Sequence, residues 1–259
     1  MIQEVFNRND MLNGGIELPP SFLIIGELFE DVFIYGECKR LCSEAPVPVF
    51  NIISQTSNLG GAGNVYNNVF SIKKDSNVHF YHQELKLVKT RYIDFKSNHI
   101  FLRVDSDESN VDRINLDIDK IKQADIVIVS DYNKGFLQDT DLINIATHSK
   151  LCIIDSKRKL KKEIIELFDF VKLNEDESKY NINNDNIITT LSSKGCMYKG
   201  ILYPSENPQQ TIDVSGAGDT FTAAFIIKYY ETNNIEYSLQ YANYCAGLVV
   251  SKKGVTVPF

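Results

Sequence analysis

Ile126-Val127-Ile128-Val129-Ser130-Asp131 is an unbroken apolar run that stops on a hydroxyl and a carboxylate. Four β-branched residues in succession suit a strand buried on both faces, as in a parallel sheet covered by helices. Similar runs occupy residues 22–25, 151–154, 170–173 and 187–191, each bounded by polar, Gly or Asp residues. Helix-like stretches at 139–148 and 157–167 lie between them. This alternation predicts an α/β fold with a mostly parallel sheet and right-handed crossovers. Such sheets bind ligands at the carboxyl ends of their strands. Asp131, Asp155 and Asn174 each follow a run directly, so all three are expected in one crevice.

Two segments, about 32–53 and 86–104, instead alternate apolar and polar residues with little helix signal. They read as strands of a smaller antiparallel sheet, a lid or a dimer contact, inserted within a single domain spanning 1–259. Pro46-Val47-Pro48 fits an extended edge segment, because proline cannot donate to a ladder. The Asn-rich stretch 181–186 reads as a surface loop.

The chain has 259 residues, 43% hydrophobic, 24% charged and 11% aromatic, which excludes disordered and low-complexity classes. Lys plus Arg number 27 and Asp plus Glu 34, a net charge of −7. That balance argues against a nucleic-acid or anionic-membrane role, so any anionic ligand must be held by a local positive site. Five scattered cysteines fit a reducing compartment, and Cys38, Cys42, His79 and His82 lack zinc-site spacing. Residues 1–13 lack the apolar core of a signal peptide, and no run nears the ~18 residues that span a bilayer. A cytoplasmic protein with no nucleic-acid or membrane partner is expected.

The strongest chemical signal is Asp213-Val-Ser-Gly-Ala-Gly-Asp-Thr-Phe221, running into the helix-like stretch 222–228. Gly216 and Gly218 permit close backbone approach, and a helix start offers free N–H groups and a positive dipole end to an anion. Asp219 at that position suits a base accepting a proton from an attacking hydroxyl, and equally suits a helix cap. A second glycine-rich stretch, Asn58-Leu-Gly-Gly-Ala-Gly-Asn64, precedes the helix-like residues 65–71. It reads either as a sugar-binding loop, with the Asn64 amide on hydroxyls, or as a tight strand-to-helix turn. No Walker loop occurs, and the third glycine of a dinucleotide fingerprint is replaced by Phe221 and Tyr66. A nicotinamide-dependent enzyme is thus the weaker alternative.

Together, Gly60-Gly61…Gly63-Asn64 and Gly216-Ala217-Gly218-Asp219 resemble the two signatures of the ribokinase-like (PfkB) carbohydrate kinases. Further likeness points to the D-glycero-β-D-manno-heptose-7-phosphate kinase domains of ADP-heptose synthesis. It is carried by Glu44-Ala-Pro-Val-Pro-Val49, Ser130-Asp-Tyr-Asn-Lys-Gly135 and Ala242-Asn243…Ala246-Gly247. The resemblance implies Asp219 as general base and the N–H groups of Gly216, Ala217 and Gly218 as anion hole. It implies Asp31 and Asn64 on sugar hydroxyls, Gly60 and Gly61 as a lid hinge, and Asp131 beside the substrate. Lys89, Arg91 and Lys134 become candidates for gripping a substrate phosphate, against the alternative of solvated surface charge. Asn174, Ser192, Gly195 and Asn243 would line the nucleotide pocket, and Asn174 with Glu177 would organise Mg²⁺ through water. ATP and Mg²⁺ are the implied cofactors, a small sugar phosphate the implied acceptor, and a homodimer through the β lid the implied assembly. The alternatives are another sugar or sugar phosphate, or a non-catalytic sugar- or nucleotide-binding protein on the same fold.

The chain departs from the family in three places. Only residues 72–83 separate the Gly60 unit from the second lid segment, so a βαβ unit is expected to be shortened or lost. Leu191 stands where an Arg often precedes the nucleotide-loop Ser, and the usual final helix is not expected after residue 254. A nucleotidyltransferase activity is likewise not expected of this chain.

Overall fold

The computed structural model describes residues 19–205, 215–252 and 255–259. The expectations for residues 1–13 and for Asp213 and Val214 lie outside the described residues.

The central sheet contains β1 (Ser21–Gly26), β4 (Asn77–Tyr81), β7 (Ile126–Asp131), β8 (Cys152–Ser156), β9 (Phe170–Asn174), β10 (Ile187–Thr190), β11 (Cys196–Tyr198) and β12 (Ile201–Tyr203). Their order is β12-β11-β10-β9-β8-β7-β1-β4, parallel from β10 to β4 and antiparallel at the β11–β12 end. Because side chains alternate along a strand, each apolar run feeds two cores. Phe22, Ile24, Ile126 and Ile128 pack under α1 (Ala62–Ile72), α6 (Ala217–Thr232) and α7 (Ile235–Val250). Leu23, Ile25, Val127 and Val129 pack under α2 (Ile118–Gln123), α3 (Asp139–His148) and α4 (Lys162–Ile165). Burial of each such side chain contributes about 1.5–3 kcal/mol. The one-turn helix α5 (Glu175–Ser178) follows β9.

A second sheet of four strands has the order β3-β2-β5-β6, with β2 (Leu28–Leu41), β3 (Pro48–Gly61), β5 (Leu87–Asp94) and β6 (Ile100–Asp105). Its β2–β3 and β5–β6 pairs are antiparallel, as the lid reading expects. The seam between them, β2–β5, is parallel, because the chain leaves β3 through α1 and β4 before returning. Pro48 begins edge strand β3. Residues 72–83 are not empty of structure, since they supply β4, the edge strand paired with β1.

One local expectation needs correction. The helix expected over 157–167 shrinks to Lys162–Ile165. Residues 157–161 are instead drawn toward the ends of the strands: the Arg158 guanidinium lies 2.5 and 2.8 Å from the Asp131 carboxylate. At 58–64 the end of β3 runs straight into α1 at Ala62, the tight strand-to-helix turn that is one of the two readings above. The stretch 181–186 does more than fill a loop. Asn181 accepts from the Leu160 N–H, and Asn186 donates to the Ile165 and Phe168 carbonyls.

Asp131 is fully buried, and its other donors are the Ser156 hydroxyl at 2.6 Å and the Asn133 N–H at 3.1 Å. Removing one partner of a buried ion pair typically costs about 3–5 kcal/mol. Arg158→Met is therefore expected to lower unfolding free energy in urea titration by about 3 kcal/mol. A loss within the range of an exposed pair, below about 1 kcal/mol, would show that Arg158 does not carry this carboxylate.

Candidate active site

Gly216 adopts φ 81°, a left-handed conformation that costs an L-residue energy, and it caps α6. A side chain there would also strike Asn64 Nδ2 at 2.4 Å. The turn leaves the first N–H groups of α6, from Ala217 onward, pointing out of the helix end. A Cβ on Gly218 would come within 2.8 Å of Lys172 Nζ, so glycine lets a buried ammonium press against the same turn. Lys172 is 3% exposed and pairs with Asp155 at 2.8 Å. Backbone donors, helix dipole and cation thus converge on one point, as an anion site requires.

Asp219, on that first turn, is 6% exposed. Its Oδ2 accepts from Asn64 Nδ2 at 2.9 Å and its Oδ1 from the Tyr132 hydroxyl at 3.3 Å. Asn68 Nδ2 contacts Asn64 Oδ1 at 3.1 Å, which turns the Asn64 amide toward Asp219. Burial raises the Asp219 carboxyl to about 6, helped by the charge of Asp155 and opposed by Asn64, Lys172 and Lys157. Burial also works against ionised Asp155, yet Lys172 and Lys157 hold its carboxyl below the usual value. The two neighbouring carboxyls are driven apart, a pattern expected where one serves as a base near neutral pH.

A cleft of about 470 Å³ opens beside this turn. Asn174, Ser192, Gly195, Asn243, Gly216, Ala217, Gly218 and Asp219 all line it, together with Tyr132, Asp155, Lys157 and Lys172. Gly195 has φ 97°, and a Cβ there would meet the Tyr203 carbonyl at 2.2 Å. Asn243 Nδ2 donates to that carbonyl at 2.9 Å, so the two residues fix one wall.

Across Asp219 the lid sheet presents a second group. Arg91 Nη1 contacts Asp31 Oδ1 at 2.6 Å, and a side chain on Gly60 would collide with Asp31 Oδ2 at 1.9 Å. Gly61, at φ 59°, caps α1 where its Cβ would strike the Glu27 carbonyl and the Phe29 ring. Lys89 Nζ stands 3.2 Å over the Phe29 ring and 5.2 Å from the Tyr132 ring, and burial pulls its pKa down. Among the described residues no carboxylate forms an ion pair with it. Lys134 pairs with Glu108.

Two expected residues take other places. Asp131 does not enter the cleft, because Arg158 and Ser156 hold its carboxylate inside the fold. Glu177 has both oxygens engaged: Oε2 by the Asn174 N–H at 2.7 Å, and Oε1 by Asn174 Nδ2 at 2.7 Å and Lys157 Nζ at 2.5 Å. Among the described residues no group of three or more His, Cys, Asp or Glu is arranged to hold a metal ion. Asn174 and Glu177 therefore belong to no such group of direct metal ligands.

Sequence reasoning gave no role to Lys157, Lys172, Tyr132 or Glu27. Lys172 had a visible signal, a lone charge inside the apolar run Phe170-Val-Lys-Leu173. Glu27 is fully buried just after β1 and accepts from the Tyr132 and Lys134 N–H groups, so it sets the loop that carries Tyr132. Burial and the charge of Asp131 raise its pKa.

The pfkB family carbohydrate kinase profile matches residues 178–259, which include the Gly216–Asp219 turn. The bifunctional protein HldE of Helicobacter pylori strain J99 is 29% identical over 90% of this chain. HldE of Aliarcobacter butzleri is 30% identical over 91%. The chain spans 63% and 62% of the length of these two relatives. Ribokinase of Arabidopsis thaliana, solved with ribose and ATP, superposes with a TM-score of 0.68 at 18% identity, covering 92% of this chain and 94% of that one. Ribokinase of Thermotoga maritima gives 0.68 at 15% identity with the same coverage. No helix of the described residues is long and apolar enough to cross a membrane. With this sheet order, this lid and this glycine turn, the chain has the ribokinase fold, and its residues 178–259 match the pfkB family of carbohydrate kinases.

Proposed function

We propose that the chain transfers the γ-phosphoryl group of ATP to a hydroxyl of a phosphorylated sugar, with O1 of D-glycero-β-D-manno-heptose 7-phosphate as the leading acceptor. The observation that carries this reading is the position of Asp219. Its buried carboxyl, raised to about 6, lies between a cleft ending at a helix N-terminus and a lid face bearing Asp31, Arg91 and Lys89. Asp219 takes the acceptor proton, while Asn64 and Tyr132 fix its two oxygens. The N–H groups of the Gly216–Gly218 turn receive charge from the transferring group. Asp31 receives sugar hydroxyls, and Lys89, Arg91 and Lys134 supply the positive field for an acceptor phosphate. The heptose acceptor is supported by the sequence likeness around Glu44–Val49 and by the HldE relatives. Magnesium enters only as a companion of the nucleotide phosphates, where a hard cation keeps most of its water. A cytoplasmic setting fits these substrates.

The same reading extends to assembly: two copies associate through their lid sheets. Edge strands β3 and β6 leave Ile52, Ile53, Leu102 and Val104 between 47 and 62% exposed. Apolar sheet edges of this kind are normally covered or charged.

Four outcomes follow. Asp219→Asn should cut kcat by about 10²–10⁴-fold while leaving ADP affinity within a factor of a few. Release of ADP should depend on the acceptor across a panel of sugar phosphates, heptose 7-phosphate included, and acceptor-independent release would count against the kinase reading. The same variant has a stability signature. Asp219 takes up its proton more readily in the fold, near 6 rather than 3.8, so stability falls as pH rises through that window. Relative to the parent, Asp219→Asn should gain about 2–3 kcal/mol at pH 8 and almost nothing at pH 3, read by chemical denaturation. For the assembly, sedimentation should give a dimer for the parent and a monomer for the Ile53→Asp, Leu102→Asp pair. A parent that stays monomeric at high concentration refutes the lid contact.

A further inference from the structure

Lys157 stands just beyond the carboxyl end of β8 and lines the same cleft as the Gly216–Gly218 turn. Its side chain is 36% exposed. Glu177, only 4% exposed at its side chain, fixes the ammonium at 2.5 Å. Glu177 cannot drift, because its other contacts form a reciprocal cap with Asn174: each backbone N–H donates to the other's side chain, at 2.7 and 2.8 Å. Lys157 Nζ also lies 5.7 Å from the ring of Tyr132, whose hydroxyl donates to Asp219. Although burial works against the charged form, Asp155, Glu177 and Asp219 keep Lys157 protonated. An ammonium has three N–H donors. Glu177 takes one, and the others are available to an anion in the cleft.

We propose that Lys157 is a catalytic residue that holds the β- and γ-phosphate oxygens of the nucleotide, and that Glu177 is a positioning residue acting through Lys157 rather than through metal-bound water. The inference rests on the kinase reading above. In the transfer, the acceptor oxygen loses its proton to Asp219 and forms a bond to the γ-phosphorus. The bond from that phosphorus to the β,γ-bridging oxygen breaks, and its electron pair leaves with ADP. Lys157 keeps its protons throughout and offsets the charge on the departing oxygen. Lys172, paired with Asp155 and lying close under Gly218, adds a second cation beside the same turn.

The test compares Lys157→Met, Lys157→Arg and Glu177→Gln in the full chain, each first checked for a parent-like circular dichroism spectrum. Calorimetric titration in EDTA, with no divalent metal, should show ADP binding weakened about tenfold or more in Lys157→Met. AMP, which has no β-phosphate, should bind as to the parent, an outcome that general loss of structure would not give. Lys157→Arg should recover part of the ADP affinity. Glu177→Gln should weaken ADP binding in EDTA in the same direction, add little to Lys157→Met in the double variant, and leave the Mg²⁺ concentration for half-maximal turnover unchanged. Equal ADP binding by Lys157→Met and the parent would overturn the role of Lys157. A raised Mg²⁺ requirement in Glu177→Gln, with ADP binding in EDTA intact, would return Glu177 to the metal. If no acceptor stimulates ADP release, the kinase reading falls, while the metal-free ADP and AMP titrations still decide whether Lys157 grips phosphate.

Discussion

A carboxylate shut away from water at the first turn of a helix must be held by donors and balanced by cations, and this molecule is arranged around that need. Asp219 is met by Asn64 from α1, which grows directly out of lid strand β3, and by Tyr132 from the loop after β7. Lys172 of β9 and Lys157 after β8 act on it through space, with Asp155 opposing them. The lid root, three parallel strands and α6 are thus tied to one oxygen pair. Moving any of them changes how readily that carboxyl gives up its proton, which is why the geometry of the sheet and the chemistry of the site cannot be separated.

Much of this was readable in advance. Parallel strands buried on both faces have few alternatives, so runs such as Ile126–Val129 and Phe170–Leu173 announce themselves. Their polar exits, Asp155 and Asn174, reach the cleft as expected, and so do the glycines of the α6 turn. Asp131 has the same place in the pattern and a different fate. Nothing local distinguishes it from Asp155; the difference is made by Arg158, 27 residues later and brought in by the fold. The same residue explains the lost helix at 157–161, where long-range pairing overrides a helical pattern. The parallel β2–β5 seam was illegible for a related reason. Alternation marks a half-exposed strand but says nothing about which direction its neighbour runs.

The pairing of Glu177 with Asn174 shows how one motif serves two ends. As a capping box it satisfies backbone donors at the start of a four-residue helix too short to be stable by itself. That same closure commits both carboxylate oxygens and aims the remaining attraction of Oε1 at Lys157. A Gln at position 177 keeps most of the cap and loses the charge, so structure and electrostatics at this point can be varied separately.

The net charge of −7 sharpens the account of how an anion is held. Lys157, Lys172, Arg91 and Lys134 each already face a carboxylate: Glu177, Asp155, Asp31 and Glu108. In isolation these pairs contribute little net positive potential. Their benefit is rigidity, since each cation is held in place before a phosphate arrives and little reorganisation is needed. What the pairs do not neutralise is the N-terminus of α6, whose N–H groups have no partners of their own within the helix, and Lys89, seated over an aromatic face. The uncompensated attraction therefore lies at two spots near Asp219; on the function proposed above, one takes the phosphates of a nucleotide and the other a phosphate on the acceptor.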